Sequence, residues 1–115
     1  MSLIDAATQL HKKDAHSRAQ IGALQSIRWG FDAVLAQAGK AIDADPLDNA
    51  GDARTRALKV RHLIERWCTE VLDRFGRATG PQLLAFDARV AQQHAALGLY
   101  IRQCHAEKDL EEIAP

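Results

Sequence analysis

Cysteine, aromatic side chains and net charge are all scarce in this sequence, and each scarcity removes a class of protein. Only Cys68 and Cys104 are present. Both fall in helix-periodic stretches rather than small loops, so they read as reduced thiols packed among apolar neighbours, and a disulfide-stapled scaffold is set aside. Fifteen basic and fifteen acidic side chains cancel. The long-range field that draws a protein to nucleic acid or to an anionic membrane is therefore missing, and neither is expected as a partner. No run approaches the roughly 20 apolar residues that span a bilayer. The N-terminus lacks the basic start and apolar middle of a secretory signal, so the expected location is the cytoplasm. Met1, Ser2 and Leu3 have the look of an expression scar and carry no structural weight in this reading.

What the chain does have is alanine, in a length of 115 residues that suits one domain with one core. Such composition favours long helices. Leu24, Ile27, Phe31, Val34, Leu35, Ala38 and Ile42 recur at steps of three and four, one stripe of an α-helix. Asp14 is a candidate cap for it, with residues 3–12 either a separate short helix or an extension. Pro46 should end it near Ala44. The stretch DADPLDNAGD, residues 43–52, reads as a loop. A second helix is expected over residues 53–75, carrying Ala57, Val60, Ile64, Trp67, Cys68, Val71 and Phe75, with Gly76 as its C-cap. After the turn GRATGPQ, a third is expected from about Leu83 to beyond Leu110, with Phe86, Val90, Ala91, Leu97, Ile101 and Cys104 on its apolar side. No strict alternation suggests a strand.

The expected fold is thus all-α, a long antiparallel up-down bundle of three main helices with a possible short one at the N-terminus. Ile21, Trp29, Leu63 and Leu99 lie off the main stripes. Three thin rods in one chain offer them little cover, which points to self-association; alternatively they widen the stripes of an ordinary bundle.

Candidate chemistry is thin. The five histidines are His11, His16, His62, His94 and His105, and none forms the His-Glu-x-x-His pattern that places two zinc ligands and a base on one helical face. His94 and His105 share a face but stand about 16 Å apart along a helix, too far for one metal. Glu-x-x-His repeats of di-iron bundles are absent, only reversed pairs such as His62 with Glu65 occurring. No metal is expected. Arg54, Arg56, Lys59, Arg61 and Arg66 make the start of the second helix basic, against its dipole. They either meet an anionic ligand such as a phosphate or CoA moiety, or form a solvated face paired with the acidic loop of residues 43–52. A nucleic-acid role for them ranks last, because no aromatic is interleaved before Trp67. The acidic run Glu107, Asp109, Glu111, Glu112 reads as a frayed, solvated helix end. The Gly76, Arg77, Gly80, Pro81 turn lacks the preceding strand of a Rossmann or P-loop phosphate cradle.

Three stretches, taken in order, carry a family likeness. IGALQSIRWGFDAVLAQAG opens with Ile21, Gly22, Leu24 and Gln25; TEVLDRFGRATG ends in a glycine-bearing turn; FDARVAQQHAALGLYIRQCHAEKDL forms the last helix. Together, over roughly residues 15–113, they resemble the C-terminal all-helical domain of flavin-dependent acyl-CoA dehydrogenases, in particular the divergent bacterial type that includes flavin monooxygenases. The resemblance implies a domain that packs against FAD and acyl-CoA and builds the core of a dimer or tetramer. It implies Gln25, Gly76 and Arg77 near the flavin nucleotide and His105 as a proton-handling, catalytic group. The family's Arg-x-x-Phe-Gly stretch is replaced by HKKDAHS, Asp73 stands where the family offers a glutamine, and Tyr100 and Ile101 stand where the catalytic glutamate is expected. The family's N-terminal helical and middle β-domains are not in these 115 residues. The functional expectation is a fragment or relative of an FAD-dependent oxidoreductase: an oligomerising domain that completes a flavin site with other polypeptide and is not catalytic alone, with FAD not retained by this chain by itself. The alternative is a cofactor-free helical protein–protein interaction module.

Overall fold

The computed structural model describes residues 2–103 and 106–115, and no strand occurs among them. The described helices are α1 Ser2–Gln9, α2 Ala15–Ala44, α3 Ala53–Thr79, α4 Pro81–Phe86, α5 Ala88–Gln103 and α6 Ala106–Ile113. The architecture is the expected all-helical bundle with three long helices, α2, α3 and α5, and a short one at the N-terminus.

Local chemistry sets the boundaries. Asp14 is extended (φ −71°, ψ 146°) and its carboxylate accepts the Ser17 N–H at 2.9 Å, capping α2. That hydrogen bond holds the Asp14 carboxyl below its ordinary value of 3.8, so the cap is intact above that pH and is lost as pH falls through the lowered value. Asp14→Ala should lower the melting temperature by a few degrees at neutral pH and have little effect in strong acid, as followed by circular dichroism. In the loop after α2, the Asp45 carboxylate accepts the N–H groups of Asn49 and Ala50, both at 2.9 Å, and Asp48 accepts that of Ala53 at 3.1 Å.

Two expectations need correction in the second half. Gly76 is not a C-cap: α3 continues through it to Thr79, and the Gly76 carbonyl accepts the Gly80 N–H at 2.9 Å. The stop falls at Gly80, whose φ of 75° is cheap only for glycine. Residues 83–110 are not one helix either. Pro81 starts α4 in a position where its missing N–H is harmless. Asp87 then leaves helical geometry, and its carboxylate accepts the Arg89 and Val90 N–H groups at 3.0 and 3.2 Å, capping α5. The rotation between α4 and α5 throws Phe86 outward, 87% exposed, although its spacing had placed it with the core.

α3 is the centre of the molecule, touching α1, α2, α4, α5 and α6. α2 runs antiparallel to it: Gln20 near the start of α2 accepts from Arg74 near the end of α3 at 2.9 Å, and farther along the rings of Phe31 and Trp67 meet edge to face at 5.4 Å. The core gathers Ile4 from α1, Leu24 and Ile27 from α2, Val71 and Phe75 from α3, and Val90 from α5. α1 is held in the angle between α2, α3 and α5. An Arg28–Asp5 ion pair and a 2.7 Å hydrogen bond from Gln25 to Thr8 tie it to α2.

Candidate functional site

Among the described residues α2 touches only α1 and α3. The Arg28–Asp5 and Gln25–Thr8 contacts set α1 antiparallel to α2 with its start, at Ser2, level with about residue 31, so the rest of α2 has α3 as its single neighbour. Leu35 and Ile42, expected in the core, are each 53% exposed for this reason, and Trp29 is 76% exposed. Ile21, by contrast, is half-buried against the core, so the off-stripe residues divide.

The side of the α2–α3 hairpin facing away from α5 is a long open groove. At one end Ser26, Trp29, Gly30, Trp67 and Glu70 line it. Farther along is a hollow of about 500 Å³ walled by Ala33, Val34, Ala38, Ala41, Val60 and Leu63 together with Gln37, Asp52, Thr55, Arg56 and Lys59. Gly30 shapes the junction, because a Cβ there would meet the Trp67 ring at 3.0 Å. Its absence lets the indole lie against α2 and reach Phe31. On α2 small side chains are interspersed with Trp29 and Val34, and the α3 wall mixes Val60, Leu63 and Trp67 with Arg56, Lys59 and Glu70.

The residues nominated for cofactor binding are not gathered into one site. Gln25 borders the first part of the groove and donates its amide to Thr8. Gly76 is an exposed position inside α3, and Arg77 is ion-paired with Asp73 one turn earlier on the same helix. His105, the nominated proton-handling group, and Cys104 lie outside the described residues. Cys68 is buried in the core at 3% exposure.

The basic start of α3 has found carboxylates. Arg54 forks onto Glu112 through Nε at 2.6 Å and Nη2 at 2.9 Å, Arg56 pairs with Asp52 at 3.1 Å, and Arg61 approaches Asp109 at 2.8 Å. The acidic segment expected to be a frayed end is in fact α6, docked on α3 by Arg54 and Arg61, with Asp109 only 9% exposed. Local sequence could not reveal a pairing between residues 58 positions apart. Arg61 Nε and Asp109 Oδ2 face each other without a well-aligned hydrogen bond, so that contact is Coulombic in character. Arg54 holds the Glu112 carboxyl below its ordinary 4.5. A lowered carboxylate stabilises fully above its unfolded-state value and loses that contribution as pH falls through the folded one. Amide hydrogen exchange in α6 should thus be slow at neutral pH and accelerate, relative to α2, as pH is taken down to about 2.

Asp45, Asp48 and Asp52 bring carboxylate oxygens within 4.8 Å of one another. Their oxygens are engaged with backbone N–H groups and with Arg56, which explains the cluster as turn construction. No described helix is long and apolar enough to cross a membrane. Compared with known proteins, the chain matches no family, no curated protein and no solved structure.

Proposed function

We propose that the chain is a helical association domain whose α2–α3 face is covered by other polypeptide, and that in this assembly it supplies helical walls to a flavin and acyl-CoA site of the acyl-CoA dehydrogenase type. The observation that carries the association is the uncovered apolar lining of that face, where Trp29 is 76% and Leu63 38% exposed. Each such side chain gains about 1.5–3 kcal/mol on full burial, a driving force that one chain leaves unused. The flavin part rests on the resemblance of the three sequence stretches, with Gln25 bordering the groove.

The second reading, a docking module without cofactor, is favoured by the engagement of Gln25 with Thr8 and of Arg77 with Asp73, which leaves neither side chain held toward a ligand. The test uses a photo-crosslinking amino acid at position 33, in the groove, and at exposed position 92 on α5, in the cells that make the protein. Adducts at 33 and not at 92 are expected; their absence at 33 would sink the association reading. Absorbance of the purified adduct between roughly 350 and 450 nm, where oxidised flavin absorbs, then separates the two readings: a coloured adduct supports the shared flavin site and a colourless one the plain docking module.

A further inference from the structure

Resting on that reading, we infer that the polypeptide covering the α2–α3 face is an acidic amphipathic helix of another protein, seated on Lys59, Leu63 and Arg66 in the way that α6 sits on Arg54, Leu58 and Arg61.

One pattern occurs twice on α3: a basic residue, leucine four positions on, and arginine three positions after that. Its first copy is Arg54, Leu58, Arg61, and its second, five positions later, is Lys59, Leu63, Arg66. Steps of four and three keep each triplet on one side of the helix, apolar in the middle and cationic at both ends. Five residues at 3.6 per turn rotate the second triplet about 140° round α3 from the first. The two copies therefore meet different surroundings.

The first copy is occupied. Arg54 forks onto Glu112, Arg61 faces Asp109 at 2.8 Å, and Leu58 between them is only 8% exposed. The occupant is α6, eight residues in which Leu110 and Ile113, each next to one of those acids, are half-buried. Among the described residues α6 touches no helix but α3. So short a segment is not helical alone, and its order depends on what this triplet offers it.

The second copy is bare. Leu63 is 38% exposed, and Lys59 and Arg66 are exposed with no ion-pair partner among the described residues. The carboxylates of this face do not answer them, because each is engaged by an arginine one turn away on α3: Asp52 by Arg56 at 3.1 Å, Glu70 by Arg74 at 2.9 Å, and Asp73 by Arg77. What remains for a partner is positive charge on either side of a leucine, continued by the apolar surface of Trp67 and Trp29.

The complement of that surface has the chemistry of α6: carboxylates three positions apart with an apolar side chain next to each. A neutral or basic helix would leave Lys59 and Arg66 facing it unanswered. The α6 of a second copy is not free for the role, since each copy's α6 is engaged by its own Arg54 and Arg61.

Both tryptophans of the chain, Trp29 and Trp67, line the face, so their emission reports its covering. The full chain is titrated with a tryptophan-free synthetic helix that repeats the Asp-Leu-x-Glu-Ile pattern of α6, and with a counterpart carrying Asn and Gln in place of the acids. A saturable blue shift is expected with the acidic helix, at roughly tenfold higher affinity than with the neutral one, the size expected of two partly exposed ion pairs. The difference should shrink as salt is raised. Lys59→Glu combined with Arg66→Glu changes two exposed positions, leaves helix content unaltered, and should bring the acidic helix below the neutral one. Arg54→Gln should leave the titration unchanged. Equal affinity for the two helices, no emission change with either, or a titration that follows Arg54 rather than Lys59 and Arg66, as it would if the peptide displaced α6, overturns the inference. The crosslink at position 33 keeps this separate from the association reading: an adduct there with a failed titration leaves association standing and removes the acidic helix, whereas no adduct removes both.

Discussion

Phe75→Ala should lower the unfolding free energy by about 3–5 kcal/mol, read from urea denaturation followed by circular dichroism. Phe75 has no exposed surface and is among the largest wholly buried side chains. It sits late on α3, its ring 6.0 Å from that of His94 on α5, in the same cluster as α1 and α2 residues. Truncation removes the transfer free energy of the ring and leaves a void that three helices at different angles cannot all close. Domains of this size have about 5–15 kcal/mol in total, so the variant should be close to unfolding at room temperature. Phe86→Ala provides the internal control. The same chemical change at 87% exposure should fall within about 0.5 kcal/mol of wild type. Equal effects at the two positions would contradict the break between α4 and α5.

That pair of phenylalanines also marks where local pattern stops being informative. The extent of α2, the loop of residues 45–52 and the start of α3 were legible because periodicity and turn chemistry agree there: Asp14 caps, Pro46 stops, and the spacing between them never slips. After Gly80 they disagree. A six-residue helix, an extended Asp87 and a new helix preserve the three-and-four spacing of apolar residues on paper while rotating the first segment out of phase with the second. Asp87 followed by Ala88, Arg89 and Val90 was the available signal, since a short acceptor ahead of an apolar run is a helix start.

The candidate site was half legible. Trp29, Leu63 and Leu99 stood out as residues without cover, and all three are exposed. Leu35 and Ile42 were assigned to the core, and correctly share the stripe of Phe31, but a stripe does not say how far a neighbouring helix extends. α1 fills the angle beside α2 only over its first half. The docking of α6 was hidden for a different reason. Its acidic residues and the arginines of α3 are ordinary solvated groups when read in isolation, and only the chain's return past α3 makes them partners.

Leu3, set aside with Met1 and Ser2 as a scar, is in fact 2% exposed in the core, and a second large single-residue consequence should fall next to it. Ile4→Asp should remove about 4 kcal/mol or more, since it places a carboxylate at a position with no solvent access. The argument runs through α1 as a unit. Eight residues cannot sustain a helix alone, so α1 is folded because Leu3, Ile4 and Ala7, at 2%, 0% and 0% exposure, are docked between α2, α3 and α5. The Arg28–Asp5 pair and the Gln25–Thr8 hydrogen bond orient it, but both lie at the edge of the cluster. With Ile4 charged, the apolar contacts fail together, α1 leaves, and Val71 and Phe75 are opened to water on the side that α1 covered. Hydrogen exchange should show protection lost first in α1 and then in the Val71–Phe75 turn of α3, while the end of α2 beyond Phe31, which adds no buried residue to the core cluster, keeps its wild-type pattern until global unfolding. Thr8→Val, which deletes the bond from Gln25 and the one to the Ile4 carbonyl, should cost far less. If Ile4→Asp is as stable as Thr8→Val, α1 does not contribute to the core and the role given to the first nine residues is wrong.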